Sequence, residues 1–280
     1  MPARSIVTAR QQRLGAELRK LRERAGLTAR EAAQASGIAE SKISMTEAGR
    51  VGVSAERVRH LADQYACDDA ALVEALVGMA TERGRGWWEK YRDLLPPGFL
   101  DLAELEQRAP YLKSFENVRI PGLLQTEEQV RATYALPVST LGEEQVETRV
   151  AFRLRRQEVL EEADYEVVVH EAALRVRLAD RKVAQRQLLH ILEQSERPQV
   201  TVRVVPFDVD GFTLIGTPVL LAGGPVPQLD TVLLDSPHAG TFIDAEAQLN
   251  VYRRVINSVE GAALGVVESR DLIHRLAQST

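Results

Sequence analysis

The chain has 280 residues, 45% hydrophobic and 27% charged, with one cysteine, Cys67. That is a globular composition, long enough for two domains of ordinary size. No apolar run approaches the roughly 18 residues that span a bilayer. Residues 1–13 carry three arginines without an apolar run behind them, which argues against a signal peptide. A lone cysteine closes no intrachain disulfide, so no membrane association and a cytoplasmic location are expected.

The net charge of −5 is unevenly spread. Residues 1–66 hold 12 Lys/Arg against 7 Asp/Glu, a net of +5, and the rest hold 23 against 33, a net of −10. A small basic head on a larger acidic body fits a nucleic-acid-binding module attached to a domain with another task.

In the head, residues 12–25 read as a helix, with Leu14, Leu18, Leu21 and Ala25 on one face. Gly26 stops it. Thr28 and Glu31 form a capping box for a second helix that runs to about Ser36. Gly37 turns the chain, and a third helix covers residues 40–48 and ends at Gly49. Ser54 caps a fourth, with Val58, Leu61, Ala62 and Tyr65 turned inward. Two short helices joined by a glycine turn of this length are a helix-turn-helix. The motif requires a small Ala33 at the crossing, Gly37 at the turn, and apolar Ile38 and Ile43 to seat the third helix.

The segment LGAELRKLRERAGLTAREAAQASGIAESKISMTEAGR resembles the Cro/phage-repressor-type (XRE) helix-turn-helix family over residues 12–66. The resemblance implies a five-helix domain whose third helix enters the major groove. It also implies a structural ion pair between Arg22 and Glu47. Its base-reading positions fall on Glu40, Ser41, Ser44 and Met45. Lys42, Arg30 and Arg50 would reach phosphates, and Thr28 sits where a helix N-terminal amide can meet one. The sequence departs from the family at Ala29, Ala39 and Met45, where Gln, Ser or Thr, and Arg are common. Reading would then rest on the serines, on apolar contact with thymine methyls and on Glu40 accepting from cytosine. Weak readers call for two heads on paired half-sites, so a homodimer is expected. The arm of residues 1–10, with Arg4 and Arg10, would lie in a minor groove or stay disordered.

Residues 67–95 read as a helical connector. It contains a helix over 68–83 with Leu72, Leu76 and Met79 in phase, and Trp87 and Trp88 beyond a glycine break. Those tryptophans suggest a ligand pocket, a dimer contact or core packing. Pro96, Pro97 and Gly98 read as a turn. Residues 96–280 then read as an α+β body with a mainly antiparallel sheet. Strands are expected at 111–118, 166–169, 200–205, 219–222, 231–234 and 240–243. Helices are expected after Thr126, at 143–162, at 171–178, at 183–195, after an Asp244 cap, and from Ser269.

Four blocks in order, PGLLQTEEQVRATY, RVAFRLRRQEVL, VVVHEAALRVRL and VTVRVVPF, resemble the C-terminal domain of WhiJ-like regulators of filamentous bacteria. Those regulators are described as antitoxin-like controllers, often encoded beside a small acidic partner. The resemblance implies a regulator and leaves its signal open.

Enzymatic chemistry finds little support. His170-Glu171 begins like a zinc-protease helix, but Leu174 stands where the second histidine is needed. His60, His170, His190, His238 and His274 are scattered, so neither a metal nor a cofactor is expected. Gly223-Gly224 lacks the Lys-Ser/Thr of a phosphate loop and reads as a hairpin turn. Cys67 reads as a packed residue. Arg149, Arg153 and Arg156 share a helical face that either binds an anion or acidic partner or is a solvated face paired with Glu158 and its neighbours.

The expectation is a non-enzymatic, sequence-specific DNA-binding transcription regulator, homodimeric, whose body senses a partner protein or a small-molecule effector. The alternative is an antitoxin-like interaction protein that binds a small acidic partner, with DNA binding secondary or lost.

Overall fold

A computed structural model of the chain describes residues 7–82, 86–136, 140–210, 212, 217–235 and 240–280. It divides into two compact units, residues 1–89 with 225–228, and residues 90–224 with 229–280. No described helix is long and apolar enough to cross a membrane.

The first unit holds five helices: α1 (Ala9–Arg24), α2 (Ala29–Ser36), α3 (Glu40–Glu47), α4 (Ala55–Gln64) and α5 (Ala70–Thr81). Each of α1, α2, α4 and α5 starts on a side chain that accepts from a first-turn amide: Thr8, Thr28, Ser54 and Asp69. Leu18, Leu21, Ala32, Ile43, Val58, Leu61, Tyr65, Leu72 and Leu76 are buried. The stretch read from sequence as a connector over 67–95 therefore divides. Its helix α5 contributes Leu72 and Leu76 to the first unit, packing against α1 and α4. The small residue buried in α2 is Ala32, while Ala33 is only half-buried.

The second unit starts near the 3-10 turn Trp87–Tyr91 and continues into α6 (Pro97–Arg108). The Pro96-Pro97-Gly98 stretch, read as a turn, is instead the start of this helix. Pro97 sits in the first turn, where the missing amide hydrogen costs no bond. Next come β1 (Tyr111–Glu116), α7 (Glu127–Tyr134) and α8 (Glu143–Arg156). The helix expected over 143–162 tightens into a 3-10 turn after Arg156. Then follow β2 (Asp164–His170), α9 (Glu171–Arg175), α10 (Arg181–Gln194) and β3 (Val200–Val205). The chain closes with β4 (Val219–Ala222), β5 (Thr231–Leu234), β6 (Thr241–Ile243), α11 (Glu246–Ala262) and α12 (Val266–Ser279). Ala245, not Asp244, occupies the α11 cap position.

The six strands form one sheet in the order β3-β2-β1-β4-β5-β6. β1, β2 and β3 run parallel, while β4, β5 and β6 extend the sheet antiparallel from β1. Three of its five pairings are antiparallel, as the α+β reading expects. The parallel half requires long crossovers, which α7–α8 and α9–α10 supply. Alternate strand residues face opposite layers. Leu112, Val167, Val169, Val202 and Val204 pack with Leu188 and Ile191 of α10 and Ile273 and Leu276 of α12. Val219, Leu221 and Val232 pack with Leu249 and Ile256 of α11, and Phe115, Val168 and Val205 pack with its Val259. The sheet is thus covered on both faces, which explains why β2 buries four consecutive residues at its C-terminal end.

Candidate nucleic-acid interface

The turn between α2 and α3 is set by Gly37, at φ 65°, a left-handed conformation that suits glycine. The Ile38 amide donates to the Ala33 carbonyl at 3.1 Å, closing the end of α2. α3 begins at Ala39 without a side-chain cap. Ile43 and Thr46 are buried and seat the helix. That fixes which face is left: Glu40, Ser41, Lys42 and Ser44 are exposed and Met45 is half-buried.

Arg22 and Glu47 meet as a bidentate pair, with Nε to Oε1 at 2.7 Å and Nη2 to Oε2 at 2.9 Å. Arg22 Nη1 also donates to the Leu27 carbonyl at 2.7 Å. One guanidinium therefore ties α1 to both the α1–α2 loop and the end of α3. The bond to Glu47 is the main reason the Arg22 pKa is raised, so the pair is fixed in its charged form.

Reading the sequence by apolar periodicity missed a residue that brings α1 and α3 together. A Cβ built on Gly15 would lie 2.3 Å from the Glu47 carbonyl oxygen and 2.7 Å from that of Thr46. Backbone meets backbone there, and only glycine fits. The available signal was a glycine inside a strongly periodic helix, where it costs stability unless packing needs it.

Arg30, Lys42 and Arg50 are exposed. Among the described residues, no carboxylate pairs with any of the three, so all are available to phosphates. Thr28 is differently occupied. Its amide and hydroxyl both donate to Glu31 Oε2, at 2.8 and 2.7 Å, and its oxygen accepts from the Glu31 amide at 3.2 Å. The amide bond, then the hydroxyl bond, hold the Glu31 carboxyl below its usual pKa. A phosphate reaching the Thr28 amide has to displace that carboxylate. Arg10 is paired with Glu82 at 2.8 Å, and Arg4 lies outside the described residues.

The remaining candidates separate. His170 is buried and its Nδ1 accepts from the Ala172 amide at 3.1 Å, which makes it the cap of α9. Among the described residues no three His, Cys, Asp or Glu side chains gather to hold a metal, and His238 lies outside them. Cys67 is a half-buried free thiol. Trp88 is buried and Trp87 half-exposed, their rings edge to face at 6.0 Å. Glu158 pairs with Arg155, leaving Arg149, Arg153 and Arg156 to other neighbours.

Comparison with known proteins agrees with this division. Residues 99–275 match a family described as Domain of unknown function (DUF5753), which is more than half of the chain. The chain belongs to the DUF5753 family. Residues 13–76 match a Helix-turn-helix domain, which runs into the first half of α5 and supports a DNA-binding regulator. No curated protein and no solved structure matches this DUF5753 chain.

Proposed function

We propose that the chain is a sequence-specific, DNA-binding transcription regulator of the Cro/phage-repressor-like (XRE) kind, acting in the cytoplasm as a homodimer. In this reading Glu40, Ser41, Ser44 and Met45 face bases. Arg30, Lys42 and Arg50 bind phosphates, with the α2 N-terminus at Thr28 beside them. The body, of WhiJ-like type, senses a partner protein or a small molecule and carries out no catalytic step. The observation that carries the reading is the exposed row on α3, on a helix seated by Ile43 and anchored by the Arg22–Glu47 pair.

The test is a mobility shift on the chain's own upstream region at low salt, with wild type and the double variant Ser41→Glu, Lys42→Glu. Wild type is expected to shift the fragment and the variant to lose the shift, since two carboxylates replace a donor and a cation beside phosphates. No shift with wild type overturns the reading. That outcome would favour an antitoxin-like interaction protein that binds a small acidic partner. The favouring observation for this alternative is that the exposed row on α3 includes Glu40 and no arginine.

A further inference from the structure

The second unit contains a cluster of three arginines, two of which no carboxylate satisfies among the described residues. On α8, Arg149, Arg153 and Arg156 follow one another along one face, spaced by four and three residues. Arg153 Nη1 donates to Gln125 Oε1 at 2.9 Å and its Nη2 to the Tyr134 hydroxyl at 3.3 Å. Both partners are neutral, and no carboxylate lies within ion-pair reach of Arg153 among the described residues. Arg149 places its guanidinium 5.0 Å from the Phe99 ring centre and 6.0 Å from that of Tyr134. Its Nε is buried without a hydrogen-bond partner. Only Arg156 has a carboxylate, the buried Glu106, at 2.6 Å.

The surroundings favour a negative ligand. A Cβ on Gly122 would lie 2.9 Å from Arg156 Nη2 and 3.9 Å from Arg153 Nη1, so this glycine lets the backbone come close to both guanidinia. Besides Glu106, Glu116, the last residue of β1, is a nearby carboxyl that could compete. Burial, and secondarily Asp235, push its pKa up to about 8 against the pull of Arg119, Arg153 and Arg156, so near neutral pH it is largely uncharged. Arg119 faces Asp235 at 4.0 Å, both exposed. The cluster stands where β1 ends in the parallel part of the sheet, and the carboxyl ends of parallel strands are where open α/β sheets bind ligands. Withdrawing a guanidinium from water beside neutral partners costs free energy that an oxyanion recovers through charge-assisted, forked hydrogen bonds.

We infer that Arg149, Arg153 and Arg156, with Gln125, Tyr134 and Gly122, form a binding site for a small anion bearing a carboxylate or phosphate group. The inference deepens the proposal that the body senses a ligand, and rests on it for its regulatory meaning only.

The test measures thermal unfolding of the full chain against inorganic phosphate and, separately, acetate, each with sodium chloride at matched ionic strength as control. The variants are Arg153→Gln, Arg149→Gln and, as a control in the first unit, Arg59→Gln. At least one anion is expected to raise the Tm of wild type and Arg59→Gln with the concentration dependence of a single site. In Arg153→Gln and Arg149→Gln the apparent Kd is expected to rise about ten-fold or more, the loss of a charged hydrogen bond. The arm that responds distinguishes phosphate from carboxylate. If Arg153→Gln does not fold, Arg149→Gln and wild type still decide the matter. Stabilisation by neither anion beyond the chloride control overturns the site. An equal response in wild type and both arginine variants also overturns it. Adding an acidic peptide as a third probe covers a macromolecular occupant: Arg153-dependent binding of the peptide without any response to phosphate or acetate overturns the small-anion assignment. The DNA mobility shift, repeated with and without the active anion, separates the two proposals. Binding of the anion without effect on the shift keeps the site and removes its sensing role.

Discussion

Arg22 in the first unit and Arg153 in the second are both arginines turned inward from a helix face, and their surroundings are opposite. Arg22 meets Glu47 with two hydrogen bonds and a backbone carbonyl with a third. Arg153 meets an amide oxygen and a phenol. The Arg22 pKa is raised by its carboxylate, while that of Arg153 is lowered, chiefly by burial. A buried cation matched by a carboxylate serves the fold. One left with neutral partners keeps an unspent capacity for an anion. Among the described residues of the first unit, Arg30, Lys42 and Arg50 lack a carboxylate partner and are exposed, which suits an extended polyanion. In the second, Arg149 and Arg153 are partly buried beside aromatic rings, which suits a small one.

The comparison is broken most sharply at the matched pair. Arg22→Met leaves the largely enclosed Glu47 carboxylate without its partner and is expected to cost up to about 3–5 kcal/mol in urea unfolding. The double variant Arg22→Met, Glu47→Leu removes both charges and should recover much of that loss. Arg153→Met, by contrast, strands no carboxylate and should cost clearly less. If Arg153→Met costs as much as Arg22→Met, the second arginine is as structural as the first and the contrast fails.

A second difference is in the response to pH. Folding holds Glu31 below its usual pKa and raises Glu116 from 4.5 to about 8. The contribution of Glu31 is therefore present above its unfolded pKa and lost as pH falls. That of Glu116 is fully present below its unfolded pKa and lost as pH rises through about 8. His170 and His190 are lowered by burial, so folding favours their neutral forms and their contribution grows as pH rises. The difference between wild type and Glu116→Gln isolates the carboxyl. Segment-resolved hydrogen exchange between about pH 5 and about pH 8 is expected to show wild type losing stability around β1 and β2 relative to Glu116→Gln, with α2 and α3 unaffected by the substitution. An identical pH course in both proteins means that Glu116 is already ionised in the folded state.

Gly15→Ala comes next in size. Its Cβ would press on backbone oxygens that no rotamer change can move. A loss of about 1–3 kcal/mol is expected, with α1 and α3 forced apart. The nearest counterpart in the second unit is Gly122, whose Cβ would meet the flexible end of Arg156. Gly122→Ala should therefore cost less stability. An order reversed from this would mean that the α1–α3 contact relaxes easily.

The two units also differ in how much of them the sequence reveals. In the first, helix periods, caps and glycine stops lie close together in the chain, so α1 to α4 are legible to within a few residues. What is not legible is contact between helices, hence Ala33 expected where Ala32 is buried, and Gly15 overlooked. In the second, strand positions are legible from β-branched runs, but the parallel pairing of β1, β2 and β3 depends on crossovers that leave no local mark. Pro96-Pro97-Gly98 has the composition of a turn and also of a helix start, and only the packing of Leu100 and Ala103 decides between them. The arginine row is visible as a spacing. Its partners Gln125 and Tyr134, and Glu116 at the strand end, come from separate elements and are gathered only by the fold.

The smallest effects are expected at the exposed cations, and they sharpen the contrast between an extended and a compact anion. Each phosphate neutralised releases condensed counterions, so the logarithm of affinity falls with the logarithm of salt by about 0.9 per contact. Arg30→Gln, Lys42→Gln and Arg50→Gln should each weaken DNA binding by a few fold at low salt and reduce the salt slope by about 1. The loss should be the same on the upstream fragment and on unrelated DNA, because phosphates carry no sequence. Ser44→Ala, at a position proposed to face bases, should leave the slope intact and narrow the gap between the two DNAs. Fluorescence anisotropy across a salt series reads all of these. A cation variant that leaves the slope unchanged does not touch phosphate, and Arg50, in the turn after α3, is the position where that result would most alter the docking geometry.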